Sequence, residues 1–139
     1  MSAASESSTS EVGCKFQREL NAGVTALMVM ATIQRARRPM YGYEVATQLS
    51  GLADEELPMT QAALYPVLRS LEKQELLKSH IEASDAGPPR KYYALTAQGR
   101  RTLEGWIKAW KETSSLVNRV LEVPHGDRPR NAASRSALS

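Results

Sequence analysis

Apolar residues recur along this chain with two different periods, and the alternation between them outlines the fold. Over residues 16–35, Leu20, Val24, Leu27, Met28 and Ala31 follow helical spacing and predict one apolar face. The β-branched residues within 26–33 would also suit a strand, but the longer periodic run decides for a helix. Arg37, Arg38 and Pro39 then make a loop, and residues 41–49 predict a short second helix with Val45, Ala46 and Leu49 inward, ended by Gly51. A loop over 52–59 carries Asp54, Glu55 and Glu56. Thr60 is placed to cap a third helix, in which Leu64, Val67, Leu68 and Leu71 give an i, i+3, i+4, i+7 face. Pro66 removes one backbone hydrogen bond inside it and predicts a distortion near Ala62.

The period then changes to two. Leu77, Ser79, Ile81 and Ala83 share one face of a strand over 76–83, residues 84–89 form a turn with Gly and Pro, and 90–95 form a second strand with Tyr93 and Leu95 on one side. Thr96 caps a final helix over 97–121. Along it Leu103, Ile107, Trp110, Ser114, Val117 and Leu121 alternate steps of four and three, the seam of a coiled coil. Such a seam either folds back on its own domain or meets a second copy, and in so small a chain the second copy is favoured. The predicted class is therefore mainly α with a small β-hairpin. It comprises a winged helix-turn-helix over 15–96 and a long C-terminal dimerisation helix over 97–122, between a disordered segment at 1–14 and a disordered tail at 123–139.

Charge adds little by its total and more by its placement. The 139 residues carry a net charge of +3, which alone does not establish nucleic-acid binding. Arg35, Arg37 and Arg38 cluster before the second helix, while Arg90 and Lys91 flank the hairpin tip. Solvated surface is the plainer account of any one such cluster. Cys14 is the single cysteine, so no intrachain disulfide forms, and His80 and His125 have no spaced partners that would suggest a metal site. No cofactor is expected. There is no basic start followed by an apolar run, and the longest apolar stretch, 26–33, is too short to span a bilayer. A cytoplasmic protein without a membrane partner is the expectation.

The blocks Tyr41-Gly42-Tyr43-Glu44, Leu64-Tyr65-Pro66-Val67-Leu68-Arg69-Ser70-Leu71-Glu72 and Arg90-Lys91-Tyr92-Tyr93-Ala94-Leu95-Thr96, followed by Gly99, resemble the PadR family of bacterial transcriptional regulators. The resemblance covers about 16–121. It implies a dimeric winged-helix protein that binds double-stranded DNA, usually as a repressor, with release by a small molecule in some members. Two departures stand out: Ala62 and Ala63 occupy positions where the family has Gly-Thr, and Glu75 occupies the Gly position after the third helix.

A winged helix acts through a helix in the major groove and a basic hairpin on the backbone. Thr60, Gln61 and Tyr65 are the candidate groove residues, with Gln61 able to pair with adenine. Arg90, Lys91 and Arg69, with Arg37 or Arg38, are candidate phosphate contacts. Tyr41 and Tyr43 have two uses open to them, core packing or a hydroxyl donated to phosphate. By the resemblance, Trp110 is the candidate platform for a small planar aromatic effector, with Leu103, Trp106 and Ile107 as neighbours; interface packing is the alternative. A winged helix that binds protein instead of DNA is a competing function. No paired carboxylates, nucleophile motif or phosphate loop supports an enzyme, and Glu44 and Glu72 read as isolated, solvated carboxylates.

Overall fold

A computed structural model describes residues 3–53 and 61–122, with side chains over 11–52 and 62–122. Its first helix, α1 (Ala3–Ala36), starts well before residue 16. The Ser- and Ala-rich segment expected to be disordered is thus helical from Ala3. No proline interrupts the chain before Pro39, and extending a helix already nucleated over 26–33 costs far less than starting one. The face that α1 buries is also not the one its spacing suggests. Val29, Met30 and Ile33 lie in the core with Thr32, whose hydroxyl is satisfied by the Met28 carbonyl at 2.7 Å. Leu20, Val24, Leu27, Met28 and Ala31 are half-buried or exposed. Residues 26–33 are apolar almost all round; the domain encloses one side and packs partly against Ala26, Leu27 and Met28 on its flank.

Arg37 ends α1 with a left-handed backbone, φ 57°. Strand β1 (Met40–Tyr41) follows, then α2 (Gly42–Ala53). Tyr41 therefore belongs to a strand and not to the second helix. Gly51 does not stop α2, which runs on to Ala53; a side chain at Gly51 would meet nothing within 4 Å. Helix α3 (Gln61–Lys73) holds Pro66 in its second turn, where the Ala62 carbonyl loses its partner. Thr60 and the acidic residues 54–56 lie outside the described residues.

The hairpin pairs β2 (Leu77–Ser84) with β3 (Gly87–Leu95), and β1 joins on the other edge to give the order β1-β3-β2, all antiparallel. Turn residues are fewer than expected, since β3 begins at Gly87. Pro88 and Pro89 fall where the register shifts between Glu82 and Ser84, so no ladder bond needs their missing N–H. Leu77, Tyr93 and Leu95 are buried at the hairpin's root, whereas Ile81, on the face expected to turn inward, is 69% exposed. The hairpin outruns the core it stands on. α4 (Ala97–Leu121) completes the order.

Two compact units divide the chain, Met1–Ile107 and Lys108–Ser139. The first holds a single core in which Met30, Met40, Leu64, Leu68, Leu71, Leu77, Tyr93 and Leu103 are almost fully enclosed. In the second, α4 continues with Leu116, Val117, Val120 and Leu121 exposed.

The corner between α3 and the hairpin explains several local residues at once. Leu76 N–H donates to the Leu71 carbonyl and Glu75 N–H to the Glu72 carbonyl, both at 2.9 Å, which is a Schellman ending. That ending needs a left-handed residue, and Glu75 supplies it at φ 65°. Thr96 then locks the corner: its N–H donates to the Leu76 carbonyl at 3.1 Å, its hydroxyl to the Glu75 carbonyl at 2.8 Å, and it accepts from Gly99 N–H at 2.9 Å as the cap of α4. Gly99 is required by contact, because a Cβ there would stand 2.1 Å from the Leu76 carbonyl oxygen.

Candidate nucleic-acid interface

Alternation along β3 sends adjacent cations to opposite faces of the sheet. Lys91 shares the Tyr93 side and turns toward α3. Its Nζ lies 3.2 Å from a Glu72 carboxylate oxygen and 5.6 Å from the Tyr93 ring centre. Glu72 also accepts from the Ser79 hydroxyl. Glu72 is thus a paired group and not an isolated one. The Ser79 hydroxyl, then Lys91, hold its carboxyl below the usual range against an opposing push from burial. Lys91 is raised in turn, chiefly by its hydrogen bond to Glu72. Burial pushes the Tyr93 phenol up.

Arg90 faces the other way. Its guanidinium sits 4.5 Å over the Tyr41 ring, a cation–π contact that leaves its charge unneutralised. Tyr41 is held by neighbours as well: it packs edge-on against Tyr92, with ring centres 5.4 Å apart, and near-parallel to Tyr43 at 6.3 Å. His80 stacks on the far side of Tyr92 at 5.7 Å. The cross-strand partners Tyr41, Tyr92 and His80 thus form one aromatic row over the whole sheet. Glu44, also taken as isolated, is clamped. It receives both guanidinium arms of Arg38 at 3.1 and 3.2 Å and the Tyr41 N–H at 3.2 Å. Glu44 in turn raises the Arg38 pKa, first by that hydrogen bonding and then by charge.

An open cleft of about 610 Å³ runs between α3 and the hairpin. Tyr41, Tyr43, Tyr65, Arg69, Arg90 and Lys91 all line it, with Gly42, Ser84 and the tip residues Ala86 to Pro89. Residues distant in sequence thus line one cleft, with Arg90 and Lys91 entering it from opposite faces of the hairpin. Tyr43 is 57% exposed, which leaves no room for a core-packing role. Arg69 is exposed and makes no ion pair among the described residues. Thr60 and the Gln61 side chain lie outside the described residues. Arg37 and Arg38 do not reach this cleft; they line a separate one at the root of the sheet. Sequence reasoning missed Tyr92, Ser79 and Glu72 as supports. Only the strand alternation of Tyr92 and His80 hinted at the row.

The candidate effector residues are dispersed in burial. Leu103 is fully enclosed in the core, so it offers nothing to a ligand, and Trp106 and Ile107 pack partly against that core. Trp110, in the second unit, is 45% exposed. Among the described residues there is no cluster of three metal-ligating side chains, and no helix is long and apolar enough to cross a membrane.

A three-strand sheet on a helical core, with a polar helix and a cationic hairpin bounding one cleft, defines a winged-helix transcriptional regulator. Residues 29–105 match the model of the transcriptional regulator PadR-like family. A PadR family transcriptional regulator from Eggerthella lenta is similar at 31% identity and TM-score 0.69, over 84% of this chain and 98% of that one. A PadR-like regulator from Bacillus cereus is similar at 29% identity and TM-score 0.63, over 76% and 99%. An uncharacterised protein from Lysinibacillus sphaericus is 30% identical over 82 residues, 59% of this chain and 75% of that one. The chain belongs to the PadR-like family of transcriptional regulators.

Proposed function

We propose that this regulator binds a palindromic duplex operator as a homodimer in the cytoplasm, and represses transcription there. The observation that carries the proposal is the α3–hairpin cleft, which gathers Tyr41, Tyr43, Tyr65, Arg69 and Arg90 on one exposed surface. Thr60, Gln61 and Tyr65 read base edges; the tyrosine hydroxyls, Arg69 and the hairpin hold the sugar-phosphate rail. Exposed apolar residues support the dimer. On α4 Trp110, Val117 and Leu121 continue the heptad seam, and on α1 Val12, Phe16 and Leu20 stand at steps of four with Phe16 64% exposed. A soluble chain covers such stripes against a partner surface. Trp110 is also the stacking platform for a planar aromatic effector, now without Leu103.

A mobility-shift titration with the promoter of the protein's own gene tests this, alongside light scattering. The expected result is a dimer that shifts this duplex ahead of a scrambled one. Arg90→Ala should flatten the salt dependence by about one unit of slope. A monomer, or equal binding to both duplexes, overturns the proposal.

A further inference from the structure

Arg69, Arg90 and Lys91 line the cleft between α3 and the hairpin, and they are not equally available to a ligand. Arg69 is exposed and has no ion pair among the described residues. Arg90 lies over the Tyr41 ring, a partner that leaves its charge intact. Lys91 is drawn inward instead. Its Nζ lies 3.2 Å from one oxygen of Glu72 and 5.6 Å from the Tyr93 ring centre. The other Glu72 oxygen accepts from the Ser79 hydroxyl. One carboxylate on α3 thus reaches both strands of the hairpin, β2 through Ser79 and β3 through Lys91. It pairs across to the hairpin and not with Arg69, a helical neighbour three residues before it.

Solvent reaches the pair, Glu72 being half-buried and Lys91 exposed, so it adds little to stability. Its consequence lies in where it puts charge. Moving Lys91 to a phosphate would leave the Glu72 carboxylate with the Ser79 hydroxyl alone, beside a polyanion. A free lysine here would hold any duplex, because phosphates carry no sequence. The two anchors of Glu72 also fix the hairpin against α3. A duplex held loosely by charge has no use for that fixed position. A duplex read at its base edges by α3 and gripped on its rail by the hairpin needs both at once.

We propose that Glu72 is a specificity-determining residue: it withholds Lys91 from the backbone of every duplex and fixes the hairpin against α3 to the benefit of the operator alone. The inference rests on the DNA-binding reading above and adds to it the source of discrimination between operator and bulk duplex. The charge effect lowers affinity for all sequences alike. The positional effect raises affinity for the operator only, and it alone moves the ratio between the two.

Fluorescence-anisotropy titrations over a salt series test it, with a duplex from the promoter of the protein's own gene and a scrambled one. Glu72→Gln should bind the scrambled duplex at least about threefold more tightly at low salt, with a slope steeper by about one unit. Its preference for the promoter duplex should fall by about fivefold or more. Glu72→Gln combined with Lys91→Gln removes the ion pair but keeps its net charge. In that variant the scrambled-duplex affinity and slope should return to the original values, while the lost preference persists. An unchanged slope in Glu72→Gln overturns the proposal. A slope that stays steep in the double variant also overturns it, because the added contact would not be Lys91. Loss of binding to both duplexes with a lowered melting curve makes Glu72 a structural residue and overturns it too. An original protein that binds both duplexes alike defeats the operator reading and this inference together; a preference that survives intact in Glu72→Gln defeats this inference alone.

Discussion

The hairpin has a root and a blade, and they obey different physics. At the root, Leu77, Tyr93 and Leu95 are buried, Thr96 satisfies backbone groups on two elements, and Gly99 lies against the Leu76 carbonyl with no space to spare. Along the blade, Ile81 and Glu82 are exposed, and Lys91, Arg90 and the paired prolines face an open cleft. Residues at the root hold the fold, and residues on the blade stand outside the core. Substitutions should therefore separate cleanly into those that move the melting temperature and those that move DNA binding.

The strongest test is Gly99→Ala. A Cβ placed 2.1 Å from a backbone oxygen cannot be relieved by a rotamer change, so stability should fall by about 3 kcal/mol or more. The melting temperature should drop by more than about 10 °C. A shift near zero would mean the corner is loose. Thr96→Ala removes the α4 cap and the donor to the Glu75 carbonyl together, for a loss of about 1–2 kcal/mol. Thr96→Ser should recover most of it by thermal melt, because the hydroxyl is what the corner uses.

Glu75→Gly runs in the opposite direction. Releasing a non-glycine residue from φ 65° should outweigh the added unfolded-state entropy and raise stability by about 0.5–1 kcal/mol. Glu72→Gln is the smallest effect on stability and the most informative on the blade. It frees Lys91 from its partner, so the salt slope of DNA binding should steepen by up to about one unit while the melting point changes little. The same variant tests a pH effect. The Glu72 carboxyl is lowered from its ordinary value of 4.5. Its contribution to stability is thus present above that value and lost as pH falls below it. Glu72→Gln should remove that part of the acid dependence in melts recorded from neutral pH to pH 3, and an unchanged profile would show that the pair contributes nothing.

The parts legible in the sequence were those with a period or a punctuating residue. The α4 boundaries, the inner face of α2 and the core face of α3 followed directly from spacing and from Thr96. Where the sequence misled, a second physical cause intervened. Residues 26–33 of α1 are apolar on nearly every side, so spacing named a half-buried flank instead of the face the domain encloses. β1 has two residues, too few to show alternation, and it exists because Tyr92 and Tyr93 offer it an edge. The cleft's cationic and aromatic members were legible as residue types. The pairing of Lys91 with Glu72 and of Arg38 with Glu44 was not, because each joins elements whose relative placement is a product of packing.

Thr96 is the only residue between the last strand and α4, and it is bonded to both sides of the corner. Such a joint has no slack to absorb a twist. A twist applied at the first turn of α4 is therefore delivered to the root of the hairpin as a change of tilt.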